Sequence, residues 1–178
     1  MQKHFLKLSL LTALVAGSCV ANATTQGSLT VVGNVVEQTC QIDAAQMTRT
    51  VELGDISKGA INTVAVDGSV TSKPLVFDLT KCPADIGGVG IRFDFTPDAN
   101  HTNYLSNTGT GVGVLLGVTD ENDNLEQSGG VVLSTNLDKA AGTATVNAKV
   151  HAYRTAATDA DITAGNVAST ATVTINQN

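Results

Sequence analysis

The chain is expected to be an all-β antiparallel sandwich, and three observations carry that expectation. Apolar and polar residues alternate at period two over short runs along the chain. Turn residues (Gly, Pro, Asn and Asp) separate those runs at fairly regular spacing. No stretch has the three-to-four spacing of a convincing amphipathic helix. With a formal net charge of -6, the acidic chain repels nucleic acid and anionic membrane surfaces.

At the front, Lys3 and Lys7 precede an apolar run over residues 8–20 and then Ala21-Asn22-Ala23. A charged piece, a short apolar core and a small-x-small site make residues 1–23 a secretory signal peptide, too short to span a bilayer. Cleavage after Ala23 leaves a mature chain that starts at Thr24 and is more acidic still, because both lysines leave with the leader. A competing cut before Cys19, with lipidation of that cysteine, is disfavoured by Ala16 where such signals carry Leu. No later run is long enough for a membrane helix, so no direct membrane insertion is expected.

Residues 27–36, GSLTVVGNVV, set Leu29, Val31, Gly33 and Val35 on one face of a strand, with Ser28, Thr30 and Asn34 opposite. A strand at the front of a mature chain needs something to pin it down. It can complete its own sandwich, serve as an ordinary first strand, or pair with another copy of the chain.

Residues 37–42 and 48–56 read as the next strands, the first carrying Cys40 and the second alternating through Val51 and Leu53. Residues 58–73, with Gly59 and Gly68, read as a connection with a short pairing around Val64. Pro74 introduces a strand with Leu75, Phe77 and Leu79 on one face. It delivers Cys82 and stops at Pro83. Cys40 and Cys82 are the two cysteines left after the leader, and in an exported protein two thiols pair. Closing a loop of roughly forty residues is worth about 4 kcal/mol at most.

Residues 87–90 form a loop, then Ile91, Phe93 and Phe95 alternate until Pro97. Residues 98–111 make a long polar connection in which Tyr104 and Leu105 plug the end of the core. Val112, Val114, Leu116 and Val118 share one face, and residues 120–124 form a hairpin tip. Residues 131–133 are a short strand and 136–142 a loop. Residues 143–154 are a long strand with Ala144, Val146, Ala148, Val150 and Ala152 inward, and Thr145, Asn147, Lys149, His151 and Tyr153 outward. After a loop through Gly165, Ser169, Ala171, Val173 and Ile175 alternate with threonines and Asn176. A sandwich whose sequence stops so soon after Ile175 has no closing strand of its own to follow.

Residue types exclude several chemistries. Asp120, Glu121, Asp123 and Asn124 lack the glycine and distal glutamate of a calcium loop and read as a solvated turn. His101 and His151 share no motif with each other or with a cysteine, so no metal site is expected. No serine has an esterase's G-x-S-x-G setting, and the carboxylates form no recognisable pair. Trp is absent and aromatics are few, which disfavours a sugar-stacking platform. No catalytic residue and no cofactor are expected.

Several segments taken together resemble the fimbrial subunits (pilins) of the chaperone-usher pathway, in particular the type 1-like shaft subunits. They are GSLTVVGNVVEQTCQIDA, TVELGDI, FDLTKCP, DANHTNYL and AGNVASTATVTI, spread over the mature chain in order. The resemblance implies an incomplete immunoglobulin-like sandwich over residues 37–178 that lacks its final strand, with residues 24–36 as a donor-strand extension. It implies an acceptor groove beside Ala171, Val173 and Ile175, filled first by a periplasmic chaperone. At the outer-membrane usher, the extension of the next subunit, another copy or a related pilin, then takes that place. Export through the periplasm to a surface fimbria and a role in adhesion follow from the same likeness. One departure stands out, since Gln177 occupies the place where these subunits commonly carry tyrosine. The alternative is a soluble or tip-located carbohydrate-binding sandwich using the loops at 98–111 and 120–130. A secreted hydrolase on the same scaffold is a third class, without the catalytic constellation it would need.

Overall fold

A computed structural model describes residues 38–178. The leader at 1–23, the extension at 24–36 and its residues Leu29, Val31, Gly33 and Val35 lie outside the described residues. Among the described residues seven strands form two antiparallel sheets: β1 (Gln41–Ile42), β2 (Ser69–Thr80), β6 (Ala144–Arg154) and β4 (Val114–Asp120) in one, and β5 (Gly130–Leu133), β3 (Val89–Phe95) and β7 (Ala171–Gln177) in the other, each in that spatial order. Two short helices, α1 (Ala44–Met47) and α2 (Lys58–Asn62), complete the regular structure together with a 3-10 turn at Asp159–Asp161.

The main core lies between the sheets, where Leu75, Phe77 and Leu79 meet Val89, Ile91 and Phe93, with Val146 and Ala148 beside them. Phe77 and Phe93 make an edge-to-face pair, 6.0 Å between centroids, that joins the layers at their centre. The disulfide Cys40–Cys82 closes a sequence separation of 42 next to that core. These inward faces are the ones the alternation marks.

The boundaries differ in several places, each for a physical reason. β2 begins at Ser69, which pairs with Tyr153 of β6, so the connection expected at 58–73 holds both a helix and the start of a strand. Val64 takes part in a turn after α2, its N–H bonded to Ile61 O, and not in a strand pairing. Five residues capped by the Ser57 hydroxyl are too few to leave a periodic signal. Only Gln41 and Ile42 of the expected 37–42 strand enter a ladder. Val89 and Gly90 belong to β3 and not to the preceding loop.

Val112 does not share the β4 face. It is 56% exposed and makes a single bridge to Thr163, and β4 starts two residues later. His151 and Tyr153 keep the outer face that the alternation gives them but are buried there: Tyr104, Leu115 and Leu125 build a small second layer over Tyr153, and His151 stacks on the Tyr153 ring beside Ser69. Tyr104 therefore belongs to this outer cluster, while Leu105 alone joins the main core. Arg154, also buried, donates to the carbonyls of Ile61, Asn62 and Val64 at the end of α2 and pairs with Asp159 at 3.1 Å. A cation over the carbonyl end of a helix is favourably placed.

Candidate functional site

An open groove runs between residues 46–58 on one side and residues 162–173 on the other. Its two adjoining parts have volumes of 510 and 460 Å3 and share Val51, Glu52, Leu116, Asn166 and Val167. The floor of the larger part is apolar, made by Leu75, Phe77, Phe93, Leu105, Leu116 and Val118. The smaller part continues over Ile61, Val114 and Ile162. Near its rim Gly111 and Gly165 come so close that a Cβ on Gly165 would strike the Gly111 nitrogen, so both loops need glycine there.

β7 borders the groove. It pairs with β3 over its whole length, from Val89↔Gln177 to Phe95↔Ala171. On its other side the backbone of Ala171 to Asn176 has no hydrogen-bond partner among the described residues. Val173 and Ile175 are half-buried against the core while Thr172, Thr174 and Asn176 are exposed. Of the residues the sequence singles out, Ala171 and Val173 line the groove. Ile175 lies further along the strand and packs on the core beyond the groove lining.

The opposite bank is the stretch at 48–56, expected as a strand. It forms no ladder, although Val51 and Leu53 still pack against the two apolar clusters. It borders the groove, where no described strand pairs with it. Side chains of α1 and of this stretch turn towards β2. Gln46 Oε1 accepts from Asp78 N at 2.7 Å, and Arg49 Nη2 donates to Val76 O at 2.8 Å. The Arg49 guanidinium lies 4.5 Å from the centroid of the Phe77 ring, and its partial burial lowers its pKa.

At the end of β7 the chain meets the first described residues. Gln177 Oε1 accepts from Cys40 N at 3.1 Å, and Gln177 Nε2 donates to Gln38 O at 3.2 Å. Asn178 adds backbone bonds with Gly87 and Gly88. The position that departs from the pilin pattern therefore holds the first described residues against the last strand.

The remaining titratable groups serve the scaffold. Asp120 accepts from Asn122 N and Asn124 N, which fixes the turn at the tip, and Asn124 adds a side-chain bond. Asp123 pairs with Lys149 at 2.7 Å. His151 Nδ1 is 2.8 Å from Ser69 Oγ, and its Nε2 sits 3.3 Å from Asp123 Oδ1 without hydrogen-bond alignment. Burial lowers the His151 pKa. Tyr104, donating to Asp67, is pushed up to about 12, first by burial and then by that carboxylate. Among the described residues no three His, Cys, Asp or Glu side chains converge as metal ligands. An apolar floor with a bare strand edge beside it is the surface on which strand addition works.

Sequence reasoning reached β7 through its alternation but missed the bank at 46–53 and the contribution of Leu105 and Leu116 to the floor. The aromatic alternation at Phe77 and Phe93 is the sequence signal that marks the floor's centre.

The family model described as fimbrial protein matches residues 14–177. A type-1 fimbrial protein subunit of Serratia marcescens is 31% identical over 93% of this chain and 94% of its own length. The fimbrial protein 987P of Escherichia coli is 27% identical over 98% and 96%. A solved chaperone-usher pilus shares the fold with a TM-score of 0.63, covering 87% of this chain and 97% of that one at 21% identity. The chain belongs to the fimbrial protein family.

Proposed function

We propose that this chain is a non-enzymatic fibre subunit that polymerises by donor-strand exchange and so supports adhesion. The observation that supports the reading is the edge of β7, unpaired among the described residues, over an open groove with an apolar floor. Residues 1–23 are the leader, residues 24–36 the donor extension, and residues 37–178 the immunoglobulin-like domain that accepts the extension of a neighbour. Leu29, Val31 and Val35 of that neighbour cover the floor, and Gly33 permits close backbone approach. Burying three such side chains is worth roughly 5 to 9 kcal/mol before ordering costs. Ala171, Val173 and Ile175 form one bank's apolar face. The incoming strand pairs with β7 on one side and can order residues 48–56 on the other, which accounts for a strand-like sequence without a ladder. Before assembly a periplasmic chaperone fills the groove, and the outer-membrane usher directs the exchange.

The direction of the chain supports exchange between molecules. β1 runs antiparallel to β2 and pairs with its last residues, Gln41↔Thr80 and Ile42↔Leu79. The chain thus enters the domain at the pole where β2 and β7 both end. β7 extends roughly 23 Å from that pole at about 3.3 Å per residue. Val35 stands three residues before Gln38 and reaches only about 10 Å from it. A subunit's own extension cannot lie antiparallel to its own β7 with Val35 at the far end of the groove. A neighbour's extension can, and repeating that head-to-tail contact gives an open filament.

Deleting residues 24–36 is the test. The truncated subunit is expected to bind its chaperone and leave cells without fibres under the electron microscope. Fibres of normal length from the truncated subunit alone would refute the donor assignment.

A further inference from the structure

The connection from the end of β3 to β4 is tied at its base and open at its apex. At the base Pro97 bridges Leu105, Asp98 N donates to Tyr104 O at 2.9 Å, and Tyr104 is buried in the outer cluster. Asp98 Oδ1 accepts from Asn100 N and His101 N, both at 3.0 Å, and this Asx turn fixes the backbone at the apex. Asn103 Oδ1 accepts from Gln127 Nε2 at 3.0 Å on the far side. Asn100 and Thr102 are exposed, and among the described residues neither the Asn100 carboxamide nor the Thr102 hydroxyl has a hydrogen-bond partner. Asn107, further along the same connection, shows how the fold uses an asparagine: its Oδ1 accepts from Gly109 N and Ala168 N, and its Nδ2 donates to Gly111 O. Asn100 does none of this. With His101 and Thr102 it forms the tripeptide Asn-x-Thr, without proline in the middle, which is the acceptor sequence for N-linked sugar on an exported chain. Such a tripeptide is short enough to arise by chance. Its placement on an ordered, exposed apex, with both of its functional side chains free, is a separate observation that points the same way.

We propose that Asn100 is an N-glycosylation site, the acceptor of an oligosaccharide carried on a lipid pyrophosphate. In the transfer, Asn100 Nδ2 forms a bond to the anomeric carbon of the first sugar while the bond from that carbon to the pyrophosphate oxygen breaks. The lipid pyrophosphate leaves with the electron pair, and one Nδ2 proton passes to a base of the transferase, so nothing is oxidised or reduced. The Thr102 hydroxyl, two residues on and equally exposed, is the group by which the transferase distinguishes this asparagine from others. The proposal requires export, and the disulfide Cys40–Cys82 belongs to a chain that matures outside the reducing cytosol. It does not require strand exchange. None of Asn100, His101 and Thr102 lines the groove, so the sugar stands outside the surface on which that exchange is proposed to work.

The test uses the exported chain taken from the cells that make it, as wild type, Asn100→Gln, Thr102→Ala and Thr102→Ser. Mass spectrometry of the peptide that spans residues 98–104 reads the modification, and fragmentation assigns it to a residue. In the wild type this peptide is expected to carry a sugar mass on Asn100. The mass should be lost in Asn100→Gln and in Thr102→Ala, and should return in Thr102→Ser, which restores the hydroxyl. Thr102→Ala leaves Asn100 and both bonds from Asp98 in place, so loss of sugar there is not a loss of fold. Thermal unfolding of the variant should match that of the unmodified wild-type chain, which checks the same point. An unmodified Asn100 in the exported wild type overturns the proposal, as does a sugar that persists in Thr102→Ala or is carried on a serine or threonine. Each of those results leaves strand exchange untouched.

Discussion

The outer edges of β2 and β7 pose the same problem and meet different answers. Along β2, Pro74 carries no N–H to leave unpaired, Val76 O is bonded by Arg49, Asp78 N by Gln46, and the last two residues pair with β1. Along β7 nothing among the described residues plays that part, although Val173 and Ile175 stand half-buried at the core. The described residues cover one edge with their own side chains and leave the other unpaired beside a 510 Å3 groove with an apolar floor, the condition that the proposed strand exchange requires.

That contrast can be broken most forcefully at Val173. Val173→Asp puts a carboxylate where the incoming strand must bury apolar side chains, at a cost of about 3 kcal/mol or more. The subunit, in which this position is only half-buried, should still fold by circular dichroism, yet fibres should vanish from the cell surface. Normal fibres from Val173→Asp would remove β7 from the assembly interface.

The β2 edge should answer with stability alone. Arg49→Ala unbinds Val76 O and uncovers the Phe77 ring, worth about 0.5 to 1.5 kcal/mol, or a few degrees in Tm. Because Arg49 also lines the groove beside Phe77, fibre yield should fall no further than the loss of stability accounts for. A collapse of polymerisation with little change in Tm would show that the two edges are less distinct than their hydrogen bonds imply.

A smaller effect lies on the outer face of the first sheet, away from the groove. Burial lowers the His151 pKa, with Lys149 adding to the effect and Asp123 opposing it. The unfolded chain therefore binds a proton more readily than the folded one. Stability from this site is complete above the ordinary histidine value near 6.5 and declines as pH falls through that value towards the depressed folded one. Denaturation curves for wild type and His151→Gln should converge in slope with pH above 7 and separate below it. A wild-type curve no more sensitive to acid than the variant would contradict the assignment.

The same contrast explains what could be read in the sequence. Alternation marked the inward faces of β2, β3, β6 and β7, since period two reports which side is apolar. It also marked residues 48–56, where the pattern of a strand is present but no strand lies beside it to pair with. Alternation does not report whether the second side is covered. His151 and Tyr153 look outward by period, yet Tyr104 and Leu115 arrive from distant segments to bury Tyr153, and His151 is buried beside the Tyr153 ring. The groove's far bank and the Arg154 cap on α2 depend on contacts across about ninety residues, as with Arg154 and Val64 at a separation of 90, and no local pattern encodes them. The Gln177 bridge is of that kind too, visible in sequence only as an unexpected residue near the end of β7.

The account stands or falls on the free edge of β7, and hydrogen exchange resolves that edge directly. In the subunit without a donor, the amides of Ala171–Gln177 that face away from β3 should exchange rapidly, and in the assembled fibre they should be strongly protected. Exchange at those amides that is equally slow in the donor-free subunit, or equally fast in the fibre, would contradict it.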